Sequence, residues 1–314
     1  MIIAITGGTG FIGRKLVAQH LAQGDSVRVL TRKQPEKNAL SQLVQVFQGD
    51  LTNNKVDLHP FIQGTDILYH CAGEIIDSDK MYEVNVAGTR KLIAAAEGQI
   101  SRWIQLSSVA TYGTILNGTV TEKAQIKPDS TYGKTKAESD RLIYEASNRD
   151  SFTYSILRPS SVFGPSMNNK ALFHMISAID KRYFFFVGKP GANINCTHVN
   201  NVVKALMLCG KMPLAKNRVY NLSDHINMEH FVRLIATTLG KPVPKMRLPE
   251  KPIMAITAAL GSIPRFPLNT SRVNALTTRA TYLSERIKLD LGYSDSISLE
   301  DGLKQLVEIW RQEH

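Results

Sequence analysis

The chain holds only three cysteines, Cys71, Cys196 and Cys209, and no two of them form a CxxC pair. That excludes a disulfide framework and a cysteine zinc site, and it leaves buried free thiols with no metal expected. No basic, apolar and small-residue succession opens the sequence, because its first apolar run stops after Ile5 in a glycine turn; the expectation is a cytoplasmic protein. Internal repeats and low-complexity segments are also missing. Basic residues outnumber acidic ones by 38 to 27, a net charge of +11, yet they are scattered and no basic run carries interleaved aromatics. Nucleic acid is therefore not the expected partner. The surplus suits a phosphorylated cofactor or an anionic small-molecule substrate.

With 314 residues, 43% of them hydrophobic, the chain can bury a substantial core. Its organising stretch is MIIAITGGTGFIG, where an apolar strand from Ile2 to Ile5 runs into a glycine turn and then a helix near Phe11. Gly7 permits the tight turn, Gly10 lets backbone approach a pyrophosphate, and Gly13 lets the helix lie close on the strand. The free N–H groups of the helix start suit phosphate oxygens. The spacing differs by one residue from GxGxxG, so the flanking strand and helix carry the specificity.

Strand patterns follow near 27–30, 43–47, 66–70, 102–106 and 153–157, alternating with helical patterns near 11–23, 79–97 and 130–149. This alternation predicts right-handed βαβ crossovers and a doubly wound parallel sheet of the α/β class. From about residue 160 the rhythm breaks, which marks a substrate-covering part, some of it returning to complete the sheet. At the end of the second strand, an NAD-selective site places a carboxylate for the ribose 2′-hydroxyl. Here stand Thr31, Arg32 and Lys33, two cations and no acid, so NADP is favoured and NAD is the alternative. Asp50, after the third strand, reads as a turn residue that could also accept from an adenine amino group. Cys71, Ala72 and Gly73 close the fourth strand with small residues that let a cofactor lie against backbone.

Strand WIQL delivers Ser107 and Ser108 to its carboxyl end, where ligands of open α/β sheets bind. Pro128, Asp129 and Ser130 then start a helix carrying YGKTK at 132–136. Tyr132 and Lys136 share a face, while Lys134 points elsewhere. A phenol titrating near 10 is a poor acid–base group at neutral pH. A neighbouring ammonium and a helix N-terminus are expected to move Tyr132 downward.

In their order, TGGTGFIG at 6–13, GDL at 49–51, NVAGT at 85–89, SSVATYG at 107–113, YGKTK at 132–136 and RPSSVFGP at 158–165 resemble the extended short-chain dehydrogenase/reductase family. HVNNVVKA, YNLSD and LGYSDSISLEDGL extend the resemblance to nearly the whole chain. It implies a Rossmann-type cofactor domain over 1–160 and a smaller substrate-binding part over 161–314, with segments returning to the first. It assigns Tyr132 as catalytic acid–base, Lys136 as the group that tunes it and bonds the nicotinamide ribose, Ser108 as the residue polarising the substrate oxygen, and Asn85 as their support. Gly7, Thr9, Gly10, Phe11, Ile12, Gly13, Leu51 and Pro159 join the residues above as cofactor contacts, with Arg158 beside Pro159 at the strand end. Asn200 and Asn201 stand where relatives often carry aspartate. The group also often pairs through two helices of the cofactor domain, which implies a homodimer.

Within such a family the first expectation is a 4-ketoreductase or 4-epimerase of a nucleotide-linked or lipid-linked sugar. A reductase of steroid-like or flavonoid-like ketones is the alternative, because VRVLTRK and the C-terminal ending also resemble those members, and the apolar stretches Tyr183–Val187 and Ile253–Leu260 would suit a flat ligand or simply core. A non-catalytic NADP-sensing or scaffold protein is opposed by the intact Ser108, Tyr132 and Lys136. Lys245, Arg247, Lys251 and Arg265 flank the second apolar stretch, which is far too short to span a bilayer. It reads as a helix packed over the substrate cleft rather than one lying on a lipid surface.

Overall fold

The computed structural model describes residues 1–32, 42–149, 151–167, 171–260 and 270–313; Lys33 and Arg265 lie outside them. Ile2–Thr6 (β1), Ser26–Thr31 (β2), Val44–Gln48 (β3), Ile67–His70 (β4) and Arg102–Leu106 (β5) form strands where the apolar runs predict them. With Thr153–Pro159 and Arg218–Leu222 they make one seven-stranded sheet, ordered Arg218–Leu222, Thr153–Pro159, β5, β4, β1, β2, β3. Every neighbouring pair is parallel. The chain leaves β1 toward β2 and β3, then crosses back to β4, so the order reverses between β1 and β4. In open sheets of this kind, ligands bind outside the carboxyl ends of the strands at such a reversal.

Both faces of the sheet are covered, which is why its inner strands are apolar throughout. Ile3 and Ile5 of β1 face a cluster with Leu16 and Val17 of helix Phe11–Ala22 and Val202 and Leu206 of helix Val199–Lys211. Ala4, between them, faces the opposite cluster with Leu92, Trp103, Ile143 and Ala146, the period-2 alternation of a strand. That second face is built by helices Gly88–Ala96 and Thr131–Ser147. The helical run before Gly88 is not uniform: Ser78–Tyr82 is α-helical and Glu83–Ala87 winds as a π-helix.

The later residues do two jobs. Helix Val199–Lys211 and strand Arg218–Leu222 belong to the central sheet, and this strand, unassigned in the sequence, lies beyond the point where the alternation breaks. The rest builds a second core, in which Phe163, Ile176, Phe231, Ile235, Leu306 and Trp310 are buried. Beside it, Asp224–Asn227, Asn193–His198 and Ser161–Phe163 form a three-stranded sheet. Phe11, on the glycine loop's helix, packs against this second core. Asn201 is fully buried; its amide accepts from Ser296 N at 2.8 Å and Ile297 N at 3.1 Å and donates to the Ile297 carbonyl at 2.8 Å. An asparagine therefore fixes the loop before the last helix.

A Cβ on Gly13 would lie 2.1 Å from the Gly7 carbonyl oxygen. Gly13→Ala is expected to lose about 3 kcal/mol of stability through forced backbone displacement, read as a lower urea midpoint.

Candidate active site

The glycine loop sits at the carboxyl end of β1. Gly7 has φ +70°, and a Cβ there would meet Ala72 N at 2.7 Å, so the turn is pressed against the chain leaving β4. Gly10 is the N-cap of helix Phe11–Ala22 with no side-chain hydrogen bond, no acidic residue stands in the first turn, and among the described residues a Cβ on Gly10 would meet only the Gly7 carbonyl oxygen, at 3.2 Å. Thr9 and Gly10 are exposed while Phe11 and Ile12 are half-buried. Bare N–H groups at an uncapped helix start, reached through exposed backbone, fit a pyrophosphate.

Other expected cofactor contacts divide. Arg32 is exposed directly after Thr31, and close enough to Lys80 for the charges to repel. Asp50 closes its own turn, with Oδ1 accepting from Thr52 N and Thr52 Oγ1, each at 2.9 Å. The Leu51 side chain is buried under Gly88, where a Cβ would come within 3.0 Å of it, so only its backbone is left for a ligand. Gly73 is exposed, and a Cβ on it would lie 3.4 Å from Lys136 Nζ and 3.3 Å from Asn85 Oδ1. Cys71 beside it is a free thiol pushed up to about 12 by burial, and it is unreactive for that reason. Pro159 is buried at its strand end; the next residue, Ser160, buries a hydroxyl with no partner among the described residues.

Helix Thr131–Ser147 begins where Ser130 Oγ accepts from Gly133 N at 3.1 Å. Gly133 lets the helix close on the segment after β5, since a Cβ there would lie 2.4 Å from the Ala110 carbonyl. That approach sets the turn that Ser108 opens against the start of the helix carrying Tyr132; Ser108 Oγ accepts from Ala110 N at 3.1 Å. Burial pushes Tyr132 up to about 12, with the nearby Ser108 hydroxyl pulling down and the Asp140 charge pushing up. The expected downward pull of Lys136 is not found. Its Nζ instead donates to the Leu106 carbonyl at 2.7 Å, and burial lowers its own pKa. Lys134 is exposed.

Asn85 acts through structure rather than exposure. Its amide accepts from Glu74 N at 2.8 Å and donates to the Glu74 carbonyl and Thr135 Oγ1, each at 3.0 Å. It thus ties the loop after β4 to the helix carrying Tyr132 and Lys136.

A buried polar network lies behind these groups. Asp140 Oδ2 accepts from Ser107 Oγ at 2.9 Å and from Arg158 Nε and Nη2 at 3.1 and 2.9 Å. Arg158 Nη1 donates to Tyr112 Oη, whose hydroxyl donates to Asn221 Oδ1 at 2.8 Å. Arg158 therefore does not face a ligand from the strand end: its guanidinium is 3% exposed and bonded to Asp140, which is 1% exposed. Asp140 was legible as the residue one helical turn beyond Lys136, on the same face. Thr135 and Ser107 had no such signal.

The sequence profile of the NAD dependent epimerase/dehydratase family matches residues 3–223. The chain belongs to that family. Among relatives, human sterol-4-alpha-carboxylate 3-dehydrogenase, decarboxylating, is 26% identical over 332 residues, covering 98% of this chain and 87% of its own. A 4-hydroxy-2-methyl-3-oxo-4-farnesyl-3,4-dihydroquinoline-1-oxide ketoreductase of Stigmatella aurantiaca is 26% identical, covering 96% and 94%. The structure of UDP-glucuronic acid 4-epimerase from Bacillus cereus in complex with NAD superposes with a TM-score of 0.79 at 20% identity, covering 100% of this chain and 98% of the other. The chain is thus an NAD(P)-dependent enzyme of the extended short-chain dehydrogenase/reductase group. Among the described residues no cluster could hold a metal ion, and no helix is long and apolar enough to cross a membrane.

Arg158→Met strands the Asp140 carboxylate without its cation and is expected to cost about 3–5 kcal/mol in chemical denaturation. Replacing both, Arg158→Met with Asp140→Leu, is expected to recover most of that loss.

Proposed function

We propose that this enzyme is an NADP-dependent reductase of a ketone on an apolar, ring-bearing substrate of steroid-like kind, run reversibly as an alcohol dehydrogenase. The observation that carries the chemistry is Tyr132 one helical turn before buried Lys136, on a helix that Gly133 packs against the Ser108–Ala110 turn at the carboxyl end of the sheet. A phenol pushed up to about 12 is protonated at neutral pH, the form that donates to a carbonyl oxygen. Ser108 bonds that oxygen and orients it, while Asn85 and Gly73 keep Lys136 close to the ribose edge of the site. The nicotinamide, when bound, supplies the hydride. Gly7, Thr9, Gly10, Phe11, Ile12 and Gly13 would hold its pyrophosphate, with Thr31 and Arg32 at the 2′-phosphate and the backbone around Asp50, Leu51, Cys71, Ala72, Gly73 and Pro159 along the rest.

The substrate class rests on relatives named for sterol carboxylates, hydroxysteroids and a farnesylated ring, 26–27% identical over 96–98% of the chain. Exposed Tyr183, Met246 and Ile256 in the later half are consistent with apolar contact, whereas Phe186, Val187 and Ile253 are core. The nucleotide sugar expected from the motifs has support in structures alike in fold, such as the UDP-glucuronic acid 4-epimerase, and it becomes the opposing arm of the test.

NADPH oxidation is expected with 3-ketosteroids and not with UDP-4-ketosugars; the reverse outcome overturns the substrate class. With the active ketone, Tyr132→Phe is expected to lower kcat about 1000-fold while leaving the NADPH Kd within about twofold. Turnover retained in that variant would sink the assignment. Arg32→Ala is expected to weaken NADPH about tenfold and NADH hardly at all, measured by cofactor fluorescence.

A further inference from the structure

We propose that His70 is a positioning residue that couples the cofactor loop to the turn carrying Tyr132, through a directed chain of buried hydrogen bonds. The inference rests on the cofactor site proposed above. Thr6, the last residue of β1, stands directly before Gly7, and its Oγ1 accepts from Ala72 N at 3.2 Å. Thr6 Oγ1 lies 2.6 Å from His70 Nδ1, and His70 Nε2 lies 2.9 Å from Thr89 Oγ1. Thr89 Oγ1 donates to the Asn85 carbonyl at 2.6 Å. From Asn85 the chain continues to Thr135, whose hydroxyl donates to the Tyr132 carbonyl at 3.0 Å.

The proton directions follow from counting donors. Thr89 has one hydroxyl proton and gives it to Asn85, so toward His70 it accepts, and His70 carries its proton on Nε2. Nδ1 is then bare and accepts from Thr6, whose oxygen is free to accept from Ala72 N. Only neutral imidazole in this tautomer satisfies every group, and burial holds His70 down to about 3. Thr6, His70, Thr89 and Asn85 are each 1–2% exposed or fully buried, which leaves no water to substitute for a lost member. What bears on coupling is where the two hydroxyls come from: Thr6 ends β1 directly before the glycine loop, and Thr89 stands on the helix next to Asn85. Ser139 Oγ adds a second bond from the helix carrying Tyr132 to the same Asn85 carbonyl.

The test uses 2′-phosphoadenosine 5′-diphosphate, which carries the pyrophosphate but neither the second ribose that Lys136 would bond nor the nicotinamide, with amide hydrogen exchange read at 7–13 and at 132–136. In the native enzyme the fragment is expected to slow exchange about fivefold at both segments. Thr89→Ser, which keeps the hydroxyl, is expected to behave alike. Thr89→Val and Thr6→Val match the shape without the hydroxyl, and each should keep protection at 7–13 and lose it at 132–136. The two sit at opposite ends of the chain, so a folding defect in one leaves the other to decide. Protection of 132–136 in both valine variants, or its absence in the native enzyme, overturns the coupling. Absence of protection at 7–13 in the native enzyme instead removes the cofactor site, and the coupling falls with it.

Discussion

The contact on which the site depends is the backbone of Gly7 pressed between Gly13 and Ala72. A side-chain carbon on Gly13 would sit 2.1 Å from the Gly7 oxygen, and one on Gly7 would sit 2.7 Å from Ala72 N. This packing sets how near the first helix comes to β1 and how near the chain leaving β4 comes to the glycine turn. Gly73, one residue further, then borders Lys136 and Asn85. The glycine turn and the corner where Lys136 and Asn85 meet are joined by one run of close backbone approaches.

Charge is handled in the same place by separation into layers. Lys136 faces a carbonyl, and the carboxylate one helical turn beyond it, Asp140, is held by Arg158 and Ser107. Asp140 still acts on both Lys136 and Tyr132 through its charge, favouring the ammonium and disfavouring the phenolate. The buried pair is weak evidence for stability. Its effect is electrical: the Asp140 charge opposes the lowering of Lys136 by burial and adds to the rise of the Tyr132 phenol.

Much of this was legible in the sequence because it rests on short-range rules. Apolar runs of four or five residues gave six of the seven strands of the central sheet, and the glycine triplet, Ser130 and the Tyr132–Lys136 spacing placed loop and helix. Arg218–Leu222 escaped because its crossover follows the long substrate segment, so alternation no longer marked it. Arg158 and Leu51 read as ligand contacts by position in a motif, but motif position does not tell which way a side chain turns. Arg158 turns inward because an acid one helical turn beyond Lys136 waits for it, a pairing between positions far apart in the chain. His70 was invisible for a similar reason: both its partners come from other elements.

The π-helical stretch at Glu83–Ala87 sets the phase of everything after it. A π-turn accommodates an extra residue relative to an α-helix, and one residue corresponds to about 100° of rotation about the axis. Asn85, within it, is aimed at Glu74 and Thr135, while Thr89, just past it, is aimed at His70. Deleting one residue there would give a more regular helix and a worse enzyme, since Asn85 and Thr89 would no longer point to their separate partners. The irregular turn works as a gear between two faces of the site, and the chain length of this segment is as constrained as its residue types.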